Sequence, residues 1–150
     1  MSTVRDIFQN KQRSFNTIQA DALVIDALNL LNSINLSYVV VLEGSDYKGI
    51  FSERDYARNI VLKGRSSSNT KVKDAMTVDI PVVDYDDTIR HCMHLMNSHK
   101  TRYLLAYDNN HFVGVVTIHD LLRQALHTKD YEDDAITTTL IDQDESSKFF

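Results

Sequence analysis

Hydrophobic positions along the chain fall into two series of the same kind. From Asp21 to Ser33 the apolar residues Ala22, Leu23, Ile25, Ala27, Leu28, Leu30 and Leu31 are dense enough to predict a well-buried helix. Tyr38-Val-Val-Val-Leu42 is short and β-branched, which predicts a buried strand. Glu43-Gly-Ser-Asp46 carries turn residues, so Tyr47–Phe51 is expected to pair back as the second strand of a hairpin. A second helix is predicted from Asp55 to Leu62, ending before Lys63-Gly64. After the polar stretch Arg65-Ser-Ser-Ser-Asn-Thr70 the series runs again. It predicts a helix from Asp86 to Ser98, a strand from Tyr103 to Tyr107 and a turn at Asp108-Asn-Asn110. A partner strand from Phe112 to Val116 and a closing helix from Thr117 to His127 complete it. Thr17-Ile18 and Pro81-Val-Val83 are brief extended leads into the two series, and Val4-Arg-Asp-Ile-Phe8 has an echo in Val72-Lys-Asp-Ala-Met76.

The two series are copies. Gly49-Ile-Phe-Ser-Glu-Arg-Asp55 and Gly114-Val-Val-Thr-Ile-His-Asp120 share one phrase, with matched positions 65 apart (114 − 49, 117 − 52, 120 − 55). The same offset places Asp21 on Asp86, Ala27 on Cys92, Leu30 on Leu95, Tyr38 on Tyr103 and Arg58 on Arg123 without a gap, which indicates internal duplication. The phrase reads as a strand running into a helix. Ser52 or Thr117 supplies an N-cap oxygen, and Asp55 or Asp120 lies in the first turn, where a carboxylate suits the positive end of the helix dipole. Gly49 and Gly114 mark places where another backbone or a ligand can come close. The expected architecture is mixed α/β, with two helix-strand-strand-helix repeats packed about a pseudo-twofold axis. The expected divisions are 1–64 for the first repeat with its N-terminal lead-in, 65–77 for a linker, 78–128 for the second repeat and 129–150 for an acidic tail, partly ordered or disordered.

Composition narrows the function classes. At 150 residues and 43% hydrophobic content the chain suits one domain or two small repeats sharing a core. Its net charge of −5 argues against a general nucleic-acid binder, which needs clustered Lys and Arg. No apolar run approaches the length of a membrane span, and Met1-Ser-Thr-Val-Arg lacks the apolar stretch of a secretory signal. With a lone cysteine, Cys92, these features predict a cytoplasmic location.

The paired phrases, the order of elements and Val72-Lys-Asp-Ala-Met-Thr77 between the halves resemble a tandem cystathionine-beta-synthase (CBS) domain pair, over about Val4 to Thr128. Gly49 to Arg58 followed by Leu62-Lys-Gly-Arg-Ser-Ser67 is most similar to the small stand-alone members. The resemblance implies a non-catalytic sensor of AMP, ADP, ATP or the adenosine half of NAD(H), bound in clefts between the repeats, most simply as a homodimer acting on a partner protein. It also implies that Asp55 and Asp120 hold ribose hydroxyls, with Ser52 and Thr117 near the phosphates. Arg54 and Arg102 are the candidate phosphate cations, and Arg65 with Ser66 and Ser67 adds possible donors. His119 stands where the first repeat has Arg54, and Ser37 stands where the second has Arg102, so the halves are not equivalent. These arginines favour anionic phosphate over the sulfonium of S-adenosylmethionine. A dimerisation module with empty clefts and a nucleotide-dependent enzyme are the alternative readings.

Other chemistry-bearing residues have simpler readings. His91-Cys-Met-His94 lacks four ligands at a zinc spacing, so no metal is expected. Cys92 matches core Ala27 and reads as buried rather than nucleophilic. Asp86-Asp87 reads as charge at a helix start, and Tyr38 and Tyr103 as core or cleft-edge residues.

Overall fold

The computed structural model describes residues 1–11 and 15–128; the expected acidic tail, 129–150, lies outside them. The first elements are α1 (Val4–Asn10), β1 (Thr17–Gln19), α2 (Val24–Ile34), β2 (Tyr38–Glu43), β3 (Asp46–Ser52) and a short α3 (Glu53–Asp55). A π-helical stretch (Tyr56–Val61) and a 3-10 turn (Val72–Asp74) follow. The remainder is β4 (Val82–Asp84), α4 (Ile89–His99), β5 (Tyr103–Asp108), β6 (His111–Thr117) and α5 (Ile118–Thr128). The described residues divide into two compact units, Phe15–Asp79 and the described residues that flank it on both sides.

In the first unit β1 runs parallel to β2, and β2 pairs antiparallel with β3. Val24, Ala27 and Leu31 recur at helical spacing on α2 and pack with Val39, Val41, Phe51 and Ile60. Helix α2 starts at Val24, three residues later than the apolar pattern alone predicts, because Thr70 and Ser67 supply its cap. Their carbonyls accept from the otherwise orphaned N–H groups of Val24 (2.8 Å) and Ile25 (2.9 Å). The polar stretch after Gly64 is therefore fastened to the first repeat. Val72 and Ala75 beyond it are 0% and 1% exposed in that unit's core.

The second unit repeats the sheet as β4-β5-β6. Its hairpin turns on Asn109 and Asn110, both at positive φ (50° and 66°), the pairing that a two-residue I′ turn requires. Cys92, Met93, Met96, Leu104, Val116, Ile118 and Leu121 form its core.

The lead-in helix α1 belongs to this second unit, not to the first repeat that follows it in sequence, since Val4 and Ile7 lie in the second core. The hydrogen bonds explain why. Val4 N–H donates to Asp87 O and Arg5 N–H to Tyr85 O, while Val72 N–H donates to Ala22 O and Lys73 N–H to Ala20 O. Asp87 and Tyr85 are the repeat equivalents of Ala22 and Ala20, so the echoing segments dock identically. Each docks on the repeat that does not follow it.

The second helix of the first repeat departs from expectation. Its π-helical stretch closes through Leu62 N–H to Ala57 O, 3.0 Å, five residues back. The wider turn keeps Ile60 buried while the short Asn59 amide reaches Ala75 O at 2.8 Å. Gln124, one methylene longer, occupies the same place in regular α5 and reaches Ser2 Oγ at 3.3 Å.

Candidate functional site

In the first unit the repeated phrase folds into a reciprocal cap. Ser52 ends β3 in extended geometry (φ −127°, ψ 169°), and its hydroxyl oxygen accepts from Asp55 N–H at 3.3 Å. The Asp55 carboxylate returns the contact, its Oδ2 accepting from Ser52 N–H at 2.8 Å and from the Ser52 hydroxyl at 3.0 Å. Its Oδ1 accepts from the Thr77 hydroxyl at 2.6 Å. Both Ser52 and Asp55 are 2% exposed. Burial pushes the Asp55 carboxyl above the ordinary carboxylate range, against the opposing pull of the Thr77 and Ser52 hydrogen bonds.

Thr77 is held there by its backbone. Thr77 N–H donates to Ile50 O at 2.8 Å, and Ile50 N–H returns a bond to Thr77 O at 2.9 Å. Gly49 makes this approach possible, because a Cβ there would lie 2.7 Å from Thr77 O and 2.9 Å from Met76 Sδ. What comes close to the glycine of the phrase is thus the chain's own connector.

The second unit builds the same cap with a different third partner. Thr117 N–H donates to Asp120 Oδ2 at 2.9 Å, and Asp120 N–H donates to Thr117 Oγ1 at 3.2 Å. Asp120 is 6% exposed. In place of a threonine hydroxyl, the Lys11 ammonium lies 2.7 Å from Asp120 Oδ2 and donates to Val115 O at 2.9 Å. Arg123 adds a longer contact to Asp120 Oδ1, 3.5 Å, from a side chain that is 74% exposed. Ile7, Asn10, Lys11, Asp120, Arg123 and Gln124 line a small surface groove at this point.

The structure brings Ser52 to Asp55 and Thr117 to Asp120 within each unit. Arg54 is half-buried on α3, and Arg102 is half-buried ahead of β5, where its carbonyl accepts from Ile118 N–H at 2.9 Å. His119 is exposed on the first turn of α5. Arg65 is exposed, and its guanidinium donates to Asp74 O at 3.0 Å. A groove runs between α2 and α3, lined by Leu28, Leu31, Asn32, Leu36, Ser37 and Glu53, and Arg54 is not among its lining residues. Sequence reasoning missed two residues of the caps. Thr77 ends the quoted connector but carried no assigned role, and Lys11 has no counterpart, because the position 68 residues on is Asp79.

Elsewhere, Cys92 is 0% exposed, like its repeat partner Ala27, and burial, with the Asp87 charge second, pushes its thiol up to about 12. His91 and His94 are exposed on α4. Thr88 caps that helix, accepting from His91 N–H at 3.1 Å, while Asp87 holds the preceding turn through Asp84 N–H at 2.8 Å. Among the described residues no cluster of three or more His, Cys, Asp or Glu is placed to hold a metal, and no helix is long and apolar enough to cross a membrane.

Comparison with known proteins matches this architecture to one family. The CBS domain family model matches residues 4–62 and 72–127. The CBS domain-containing protein CBSX3, mitochondrial, of Arabidopsis thaliana is 30% identical over 135 residues, covering 84% of this chain and 66% of that protein. YhcV of Bacillus subtilis, also CBS domain-containing, is 26% identical over 121 residues, covering 81% of this chain and 84% of YhcV. Among solved structures, a CBS-domain protein of Burkholderia ambifaria superposes with a TM-score of 0.79 at 33% identity, over 84% of this chain and 95% of that one. CBSX2 in complex with AMP superposes with a TM-score of 0.68 at 26% identity, over 86% and 99%. With both repeats matched and each carrying its own three-stranded sheet, the chain belongs to the CBS domain family as a tandem pair.

Proposed function

We propose that this protein is a non-catalytic regulatory module that binds an adenine nucleotide (AMP, ADP, ATP or the adenosine half of NAD(H)) and relays the bound state to a partner protein. The observation that carries the reading is the Ser/Thr-x-x-Asp helix start kept in both units, taken with the AMP complex of the similar protein CBSX2. In this reading Asp55 and Asp120 accept ribose hydroxyls beside Ser52 and Thr117. Arg54 and Arg65 serve phosphate in the first unit, and Arg102 and His119 in the second. A carboxylate has room for more than one donor, so a ribose hydroxyl at Asp55 shares or replaces the Thr77 hydroxyl, which can turn aside at little cost. Signalling requires the nucleotide to bind one arrangement of the molecule more tightly than another. The reading includes a cytoplasmic homodimer and no metal. Cys92, buried and with its thiol pushed up to about 12, takes no nucleophilic part in this reading.

A second reading, an interaction module that takes no ligand, is favoured by one observation. Both aspartates are nearly inaccessible and already bonded within their own unit. A thermal-shift screen with AMP, ADP, ATP, NAD, NADH and S-adenosylmethionine separates the two. A nucleotide at ~100 times its Kd adds ~2.7 kcal/mol to the folded state, and Asp55→Ala or Asp120→Ala removes the part of the shift that depends on its unit. No shift with any compound on folded protein selects the interaction module.

A further inference from the structure

We propose that Lys11 decides which of the two units accepts nucleotide, by occupying the aspartate of the second unit with an intramolecular ammonium; this rests on the nucleotide-sensing reading. The caps of the two units present the same two acceptors, a strand carbonyl (Ile50 O or Val115 O) and the helix-start carboxylate (Asp55 or Asp120). In the first unit Thr77 fills both, with its backbone N–H on Ile50 O and its hydroxyl on Asp55. In the second unit one atom, Lys11 Nζ, fills both, at 2.9 Å to Val115 O and 2.7 Å to Asp120. The substitution is not an echo of the repeat, because Lys11 follows α1 at a position where the connector has Asp79.

The two arrangements treat an incoming ribose differently. A hydroxyl both donates and accepts, so Thr77 can turn to a ribose hydroxyl and remain satisfied. An ammonium only donates, and the Lys11 side chain, 16% exposed, cannot leave Asp120 without parting a largely buried charge from its counter-charge. Nucleotide at the second unit must therefore compete with Lys11, whereas at the first unit it competes with a neutral hydroxyl. The first unit is held by a hydroxyl that can yield, and the second is latched by a charge.

Calorimetric titration of the full chain with AMP and, separately, ATP tests this on wild type, Lys11→Met and Lys11→Arg. Wild type and Lys11→Arg are expected to take about one nucleotide per chain, lost on Asp55→Ala. Lys11→Met is expected to gain a second site, about tenfold to a hundredfold tighter than any residual second-site binding in wild type, and lost again when Asp120→Ala is added. Should Lys11→Met not fold, Lys11→Gln removes the charge while keeping a donor for Val115 O, and the same gain is expected. Equal stoichiometry and affinity in wild type and Lys11→Met, or weaker binding in the variant, would overturn the latch while leaving nucleotide sensing intact. No heat from either nucleotide with wild type and variant, both shown folded by circular dichroism, would instead remove the sensing reading and the latch with it.

Discussion

Replacing Gly49 with alanine tests the closest approach in the first unit. The added methyl would lie 2.7 Å from Thr77 O, 2.9 Å from Met76 Sδ and 3.2 Å from Met76 Cγ, where a carbon contact wants about 3.5 Å or more. The methionine side chain can swing away. The carbonyl cannot, because it is backbone and already accepts from Ile50 N–H at 2.9 Å. The connector must therefore back off by several tenths of an ångström, which stretches both Ile50–Thr77 bonds and draws the Thr77 hydroxyl from Asp55. Overpacking costs about 1–3 kcal/mol, and weakening one or two neutral hydrogen bonds adds about 1 kcal/mol, so the expected loss is about 2–4 kcal/mol. Urea unfolding followed by circular dichroism measures it, with Gly44→Ala as the comparison. Gly44 has nothing within 4 Å of its Cβ position, but its φ is +64°, so its cost is conformational, about 1 kcal/mol. In Gly49→Ala/Thr77→Val the two losses should sum to less than their separate values, because both act through the same clamp. A Gly49→Ala loss no larger than that of Gly44→Ala would refute the reasoning.

Three shorter predictions concern the buried polar groups. A carboxyl whose folded-state pKa is raised above 3.8 holds its proton more tightly when folded, so the stability it contributes is full below the unfolded pKa and is lost as pH rises through the folded one. Asp55→Asn should therefore gain stability relative to wild type as pH rises above 3.8 in urea titrations, and a constant difference would count against a raised carboxyl. Lys11→Met and Asp120→Asn should couple by about 1.5–3 kcal/mol in a double-mutant cycle read by chemical denaturation, and a coupling under about 0.5 kcal/mol would show the pair to be idle. Cys92, buried and pushed up to about 12, should react with a disulfide reagent only upon unfolding; rapid native labelling, read by absorbance, would contradict its place in the core.

What the sequence revealed and what it hid divide along the range of the interactions. The Ser/Thr-x-x-Asp caps close within four residues, and the hairpins through short turns, so duplication displays both. The spacing of Val24, Ala27 and Leu31 likewise records a buried helix face directly. The docking of α1 on the second repeat left no local trace, since its pairings join Val4 to Asp87 and Arg5 to Tyr85 across most of the chain. The equal echoes at Val4 and Val72 announced a shared role but not which repeat each serves. The family resemblance implies that Asp55 and Asp120 accept ribose hydroxyls, and it is silent on what else they hold. Their inward partners depend on Thr77 and Lys11, which arrive from segments outside the matched phrase.

Duplication has thus kept the acceptors of the cap and exchanged the donor, and an isosteric substitution should separate the two copies. In Asp55→Asn the amide oxygen can take the place of Oδ2 and accept from Ser52, while the amide nitrogen faces Thr77 Oγ1, now an acceptor because the hydroxyl turns round. Ser52 keeps its acceptor, Thr77 keeps a bond to residue 55 and a buried charge is gone, so the cost near neutral pH should stay below about 1 kcal/mol. In Asp120→Asn the oxygen can still accept from Thr117 N–H, but Lys11 Nζ loses its counter-charge in a site where its side chain is 16% exposed. Arg123 offers no relief, being a second cation 3.5 Å from the same carboxylate. Stranding one member of a buried pair costs about 3–5 kcal/mol, and partial escape of Lys11 to water lowers the expected loss to about 2–4 kcal/mol. The same one-atom change should therefore be nearly silent at 55 and plainly destabilising at 120, as read by denaturant midpoints at unchanged slope. Equal losses at the two positions would mean that the ammonium does not take over the threonine's role, and the inequivalence of the two halves would have to be sought outside their caps.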